Sequence, residues 1–362
     1  MKTAVIALHF GEPRKATLEE VVPFLERIFL ANANLEDLPD QAARERRSRE
    51  LAERRAPSLI EEYEEIGGSP LNEQADAQGR ALGLELLRRG HQVHVYSAFQ
   101  FTHPLIPDVV KQARADGVER IVGLPVYPLC GPSTNVAALD GIQRALDDLE
   151  WTVEFGGVTG WHRHPAYIEL RADAVRRLAE ERGLDLRAPR THLVFSAHGT
   201  PQKYLDEGSR YVEYVEEFCE EVARILGVDD YLLGYQNHSN RGIPWTQPDV
   251  EAVIRDVDGG AVLVEPVSFM HEQSETLAEL DHELREEAEE VGLDFHRVPV
   301  PHDDPRFAGI LADVLEPLLT GQDSTLGLQL APCRCRPKAG TVCLNALPRE
   351  RAAPAPEPVA GT

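Results

Sequence analysis

The strongest constraint on this chain is the regular alternation of strand-sized apolar runs with amphipathic helical stretches, which continues almost throughout. The apolar runs fall at 3–9, 92–97, 120–126, 152–155, 192–197, 231–235, 261–267 and 294–298. Helical patterns lie near 18–31, 41–54, 73–89, 105–116, 135–149, 165–182, 209–226, 248–256, 274–291 and 305–319. Strands joined by helical, right-handed crossovers form a mainly parallel sheet covered on both faces. This predicts an α/β fold, and eight strands suit two four-stranded sheets better than one.

With 362 residues, two domains are expected. Pro125, Pro128, Gly131 and Pro132 interrupt the pattern, which places the division at 1–128 and 129–304. The helix within 305–322 is expected to return to the first domain, followed by a cysteine-containing segment at 323–347. The Pro/Ala-rich 348–362 stretch cannot bury a core and is expected to be disordered. No apolar run is long enough for a membrane span. The first residues lack a signal peptide's apolar stretch and cleavage site, so a cytoplasmic location is expected. A net charge of −24 argues against nucleic acid and against anionic lipid as partners.

Open α/β sheets bind ligands at the carboxyl ends of their strands. Here those ends carry His9-Phe10-Gly11-Glu12-Pro13, Tyr127-Pro128-Leu129-Cys130, His198-Gly199-Thr200-Pro201, Gln236-Asn237-His238 and Ser268-Phe269-Met270-His271-Glu272. None has the Gly-x-Gly-x-x-Gly pattern of a dinucleotide site, and Gly67-Gly68-Ser69-Pro70 follows a helix rather than a strand.

His198 at a strand end faces the ligand crevice, with an ordinary pKa suited to proton transfer. Glu275, Glu279 and Glu283 recur at i, i+4 and i+8, drifting only about 40° per step on an α-helix. They form one line of carboxylates, suited to handling hard cations or protons, or simply to solvation. Leu277, Leu280, Leu284 and Val291 are expected on the buried side. Cys333-x-Cys335 and Cys343 form a metal-type cluster, suited to zinc or iron–sulfur. Cys130, in a Pro/Gly-rich loop, is the better fourth ligand, because Cys219 sits on an apolar helix face. His162 and His164 read as a helix start preceding Pro165.

Together these segments resemble the ferrochelatase family, which inserts ferrous iron into porphyrins. The resemblance spans roughly residues 3 to 320 and follows the family's order. Gly67-Gly68-Ser69-Pro70-Leu71 resembles the Gly-Gly-x-Ser-Pro-Leu segment, one residue shorter. Leu124-Pro125-Val126-Tyr127-Pro128 resembles the Pro-Leu-Tyr-Pro strand end. Phe195 to Pro201 resembles the catalytic-histidine segment, Tyr235-Gln236 with Pro244-Trp245-Thr246-Gln247-Pro248 the Tyr-Gln…Trp-x-x-Pro stretch, and Phe269 to Leu277 the catalytic-glutamate segment.

The resemblance implies two similar Rossmann-like domains with the porphyrin in the cleft between them. It implies catalytic roles for His198 and Glu275, and metal or proton handling by His198, Glu275, Glu279 and Glu283. Phe10, Tyr127, Tyr235 and Trp245 would contact the porphyrin. Fe²⁺ would be the substrate cation, with protoporphyrin IX or coproporphyrin III as its acceptor in haem biosynthesis. Cys130, Cys333, Cys335 and Cys343 would hold a [2Fe–2S] cluster, as in some relatives. The chain departs from the family pattern at Phe10, at Asn237-His238 and at Gln273, where relatives carry His-x-Glu. His271 and Arg241 are possible substitutes. A cobalt or nickel tetrapyrrole chelatase and a non-catalytic tetrapyrrole or iron sensor are the alternatives.

Overall fold

The computed structural model describes residues 1–238, 242–321 and 327–345; Arg241 and the 348–362 tail lie outside them. Eight parallel strands form two sheets of the same order. The first contains β1 (Thr3–His9), β2 (Val93–Phe99), β3 (Arg120–Pro125) and β4 (Glu154–Val158), ordered β2-β1-β3-β4. The second contains β5 (Thr191–His198), β6 (Tyr231–Gln236), β7 (Gly260–Pro266) and β8 (Leu293–Arg297), ordered β6-β5-β7-β8. All seven residues of β1 are buried, and each large apolar side chain so covered contributes about 1.5–3 kcal/mol.

Helices cover both sheets: α1 (Leu18–Ala31), α2 (Gln41–Glu65), α3 (Leu71–Arg88), α4 (Ile106–Ala115), α5 (Ala137–Asp148), α6 (Pro165–Arg182), α7 (Gln202–Asp206), α8 (Tyr211–Leu226), α9 (Val250–Arg255), α10 (Arg285–Glu290) and α11 (Arg306–Thr320). Two further segments, Pro132–Val136 and Glu275–Leu284, are π-helices. Helix α11 packs on α3 and β4, and also on α6. Among the described residues no helix is long and apolar enough to cross a membrane.

The structure differs from the sequence reading at several points. β4 pairs with β3, so the boundary at 128/129 cuts through the first sheet, which continues past residue 154. That sheet is also extended by β9 (Ala331–Pro332) and β10 (Thr341–Cys343), with β10 parallel to β4 and β9 antiparallel to β10. Helix α2 continues eleven residues past 54, through Pro57. Its Ala56, Leu59 and Tyr63 join Val21, Phe24, Leu25 and Phe29 of α1 in one buried cluster, which outweighs the roughly 3 kcal/mol cost of an interior proline. Val291 is 43% exposed rather than buried, because the chain leaves the helix for a turn there.

Each sheet reverses strand order at its first strand, between β1 and β3 and between β5 and β7. Such reversals open a crevice at the carboxyl ends. The α1–α2 hairpin closes over the first of these ends, where Phe10 and Phe101, following β1 and β2, pack against its apolar cluster.

Candidate functional site

The two crevices face a shared cleft. One cavity in it is lined by Phe10, Glu12 and Tyr63 from the first lobe and by His198, Trp245 and Glu275 from the second. An adjoining cavity is lined by Tyr127, Ser133, His198, His271 and Glu275. A third, more open space holds Tyr235, Trp245, Glu279 and Glu283.

His198 ends β5, opposite Gln236 of β6. Gly199 follows because no Cβ fits there. One would meet the Asn237 side chain and come within 2.7 Å of the Gln236 carbonyl. The Gly199 amide instead donates to that carbonyl at 2.6 Å, which draws the ends of β5 and β6 together. His198 Nδ1 lies 2.6 Å from the Gly199 carbonyl. A proton held there leaves Nε2 facing the cleft as the acceptor. Nε2 lies 3.1 Å from Glu275 Oε1 and 3.1 Å from His238 Nε2. Burial alone would lower the His198 pKa, but the charge and hydrogen bond of Glu275 push it up to about 9.

Glu275 opens the π-helix Glu275–Leu284. Its Oε1 also lies 3.4 Å from His238 Nε2, and Gln273 Nε2 donates to its Oε2. Burial opposes its ionisation, yet His198 and then His238 hold it well below the usual carboxylate range. The π form needs more than four residues per turn where the α form needs 3.6, so the i+4 row falls just short of a full turn and stays aligned. Glu279 follows Glu275 with side-chain exposures of 24% and 18%, and Glu283 is exposed. Burial and then Glu275, against His238, push Glu279 up to about 7. The row thus runs from a half-buried, ionised carboxylate through one pushed up to about 7 to solvent.

Glu12 was not singled out from sequence. It is 3% exposed and accepts hydrogen bonds from Tyr63 at 2.9 Å, from Ser69 and from Ser274 at 2.5 Å. Asn72 brackets its backbone on both sides. Gly67-Gly68-Ser69-Pro70 therefore delivers Ser69 and Asn72 to Glu12, with Gly67 and Gly68 at φ 75° and 94°, values that favour glycine. Burial, and Glu275 nearby, push the Glu12 pKa up.

The other candidates separate clearly. His271 meets Gln78 Oε1 at 2.7 Å and His9 edge-on, so it turns toward α3 and not toward Glu275. His162 and His164 are buried against Glu217 and Asp313. Cys219 is buried on the apolar face of α8. The Sγ atoms of Cys130, Cys333 and Cys335 lie within 4.8 Å of one another. Cys343 packs against Cys333, and hydrogen bonds from Cys130, Cys335 and Cys343 push the Cys333 thiol down. Thr159 Oγ1 donates to Cys333 at 3.0 Å. Pairing of β10 with β4 brings this late segment beside Thr159 and the Cys130 loop.

The ferrochelatase family profile matches residues 2–318. A ferrochelatase of Synechococcus sp. (strain JA-3-3Ab) is 35% identical over 88% of this chain and 94% of its own length. One from Synechocystis sp. (strain ATCC 27184 / PCC 6803 / Kazusa) is 33% identical over 87% of this chain and 82% of its own. Among solved structures, SirB from Bacillus subtilis with Fe3+ superposes with a TM-score of 0.51 at 12% identity, over 90% of this chain and 99% of that one. CbiX, described as the terminal enzyme for biosynthesis of siroheme in denitrifying bacteria, superposes with a TM-score of 0.51 at 14% identity, over 87% and 98%. These two likenesses concern the fold.

Proposed function

The chain belongs to the ferrochelatase family, and on that premise we propose that it inserts ferrous iron into protoporphyrin IX or coproporphyrin III in haem biosynthesis, in the cytoplasm. The carrying observation is the His198–Glu275 pair at the junction of two cavities, with a carboxylate row leading from it to solvent. Metallation removes two pyrrole protons and strips water from the cation. A histidine with its Nε2 turned to the cleft suits the first task. Glu275, ionised and fixed from both oxygens, stabilises the charge that develops on it. Glu279, titrating near neutrality, suits onward passage toward Glu283. Phe10, shared by the two inner cavities, with Tyr127 in one and Trp245 in the other, would supply flat walls for a macrocycle, Tyr235 lines the more open space beside them, and Phe10 offers the cation no ligand atom.

Cys130, Cys333, Cys335 and Cys343 fit a [2Fe–2S] cluster by their donor set, four free thiols converging from two chain regions. Such a cluster would supply a covalent tie and a redox-sensitive element, since metallation itself transfers no electrons. The protein's own part is to hold the thiols, with Thr159 and Tyr214 as hydroxyl partners.

The test is an anaerobic optical assay with Fe²⁺ and each porphyrin in turn. Conversion of the four-band free-base spectrum to a metallated one is expected and names the porphyrin. Porphyrin that binds yet stays unmetallated with Fe²⁺, Co²⁺ and Ni²⁺ overturns the reading.

A further inference from the structure

We propose that His238 is a third metal-binding side chain, completing with His198 and Glu275 a two-histidine, one-carboxylate site that receives the divalent cation before it meets the macrocycle. The inference rests on the functional reading above and extends it to a residue not assigned there.

The geometry carries it. The three facing atoms, His198 Nε2, His238 Nε2 and Glu275 Oε1, form a triangle with edges of 3.1, 3.1 and 3.4 Å. Ligand atoms about 2.1 Å from one ion, at angles between octahedral and tetrahedral, stand about 3.0–3.4 Å apart. Two imidazoles and one carboxylate on one face, with the opposite side open, form the donor set suited to Fe²⁺. The three side chains line the same cavity.

The surroundings support the same assignment. Metal-binding histidines are held by a partner on their other ring nitrogen. His198 Nδ1 is held by the Gly199 carbonyl. His238 Nδ1 faces Glu279 Oε1 at 4.0 Å, and Glu279 Oε2 is itself held by Gln236 at 3.0 Å. The Glu275 oxygen outside the triangle is held by Gln273. Trp245 stands edge-on to the His238 ring, 5.6 Å between centroids. His198 and Glu275 are thus each held by a neighbour that is not itself a donor, and the His238 ring is set by its edge-on packing against Trp245, with Glu279 beyond hydrogen-bond distance of its Nδ1. Gln273, a neutral amide, steadies Glu275 but cannot take a proton, and His238 restores a basic group on the far side of the same carboxylate.

The test titrates wild type, His238→Ala and His238→Asn with Co²⁺ anaerobically and without porphyrin, and reads bound cobalt by X-ray absorption. Wild type should show two imidazoles and each variant one. Co²⁺ affinity should fall at least about tenfold, the scale of losing even a supporting partner, and the KM for Fe²⁺ should rise in parallel. The thermal midpoint reports that both variants remain folded; His238 is partly exposed, at 28%. One imidazole in wild type, or unchanged Co²⁺ affinity in both variants, overturns the three-donor site while wild-type metallation stands. Two imidazoles in a wild type that metallates no porphyrin keeps the site and overturns the functional reading instead.

Discussion

Ser274, the residue immediately before Glu275, donates its hydroxyl to the buried carboxylate of Glu12 at 2.5 Å, tying the start of the acidic helix to the opposite lobe. Tyr63 and Ser69 donate to the same carboxylate. Glu12→Ala would leave three hydroxyls without their acceptor, each unsatisfied buried group costing about 1–3 kcal/mol. It should lower the denaturation midpoint and displace Glu275, so that metallation falls more than porphyrin binding. Glu12→Gln retains an acceptor oxygen and should be milder in both. Steady-state kinetics with a parallel urea titration measure this, and a Glu12→Ala protein with wild-type turnover would refute the tie.

His198 and Glu275 yield a prediction in pH. A cationic His198 cannot accept a pyrrole proton, so kcat/KM for porphyrin should climb with pH and level off above about 9. Glu275→Gln removes the charge that raises the imidazole, and its plateau should begin closer to the ordinary value of about 6.5. The same pair affects stability. The folded pKa of His198 lies above its unfolded one, so its contribution is complete below about pH 6.5 and is lost as pH rises through about 9, while the depressed Glu275 carboxyl loses its own contribution as pH falls below the usual carboxylate range. His198→Ala should reduce turnover by about 10²–10⁴-fold, the usual contribution of a positioned proton acceptor, while porphyrin fluorescence quenching persists.

Arg171 and Glu265 form an ion pair at 2.5 Å with side-chain exposures of 1% and 0%. Arg171 also donates to the carbonyls of Pro266 at 2.6 Å and Phe269 at 2.9 Å, the segment running from β7 toward Glu275. Arg171→Met should cost about 3–5 kcal/mol, because it leaves a carboxylate buried without its partner. Arg171→Met combined with Glu265→Leu should recover much of that loss. Chemical denaturation of the single and double variants decides it. A double variant no more stable than the single one would mean that the bonds to Pro266 and Phe269, not the pairing, hold this region.

The cysteine site can be followed by colour. The purified protein should show the visible absorption of a [2Fe–2S] cluster. Cys333→Ser should bleach it and lower the thermal midpoint, while some metallation at the cleft remains. Full absorbance in Cys333→Ser would remove that residue from the ligand set.

All eight long strands and ten helical regions were legible as apolar runs and 3.6-residue patterns, because burial on both faces of a parallel sheet demands continuous apolar sequence. Helix α7, at five residues, and the ribbon β9–β10, at two and three, are too short to carry a period. The long reach of α2 was hidden by Pro57, whose local cost is overcome only by packing on α1. The π form of the acidic segment was also invisible, since the same i, i+4 spacing serves either coil.

At the site, local sequence marked His198, the glutamate row and the cysteines, because strand ends, helical spacing and thiol clustering are properties of neighbouring residues. It did not mark Glu12 as the acceptor shared by Tyr63, Ser69 and Ser274, nor His238 as the neighbour of both His198 and Glu275. Those relationships join residues 37 to 262 positions apart. The amino-acid sequence by itself determined which segments become strands, which helices cover them and which strand ends bear reactive side chains. Only the tertiary structure decided which of those side chains meet, because the order β6-β5-β7 sets the strand ends bearing His238, His198 and Glu275 side by side, so that Nε2, Nε2 and Oε1 stand within one ion's reach, and the facing of the two lobes brings Glu12 to Ser274.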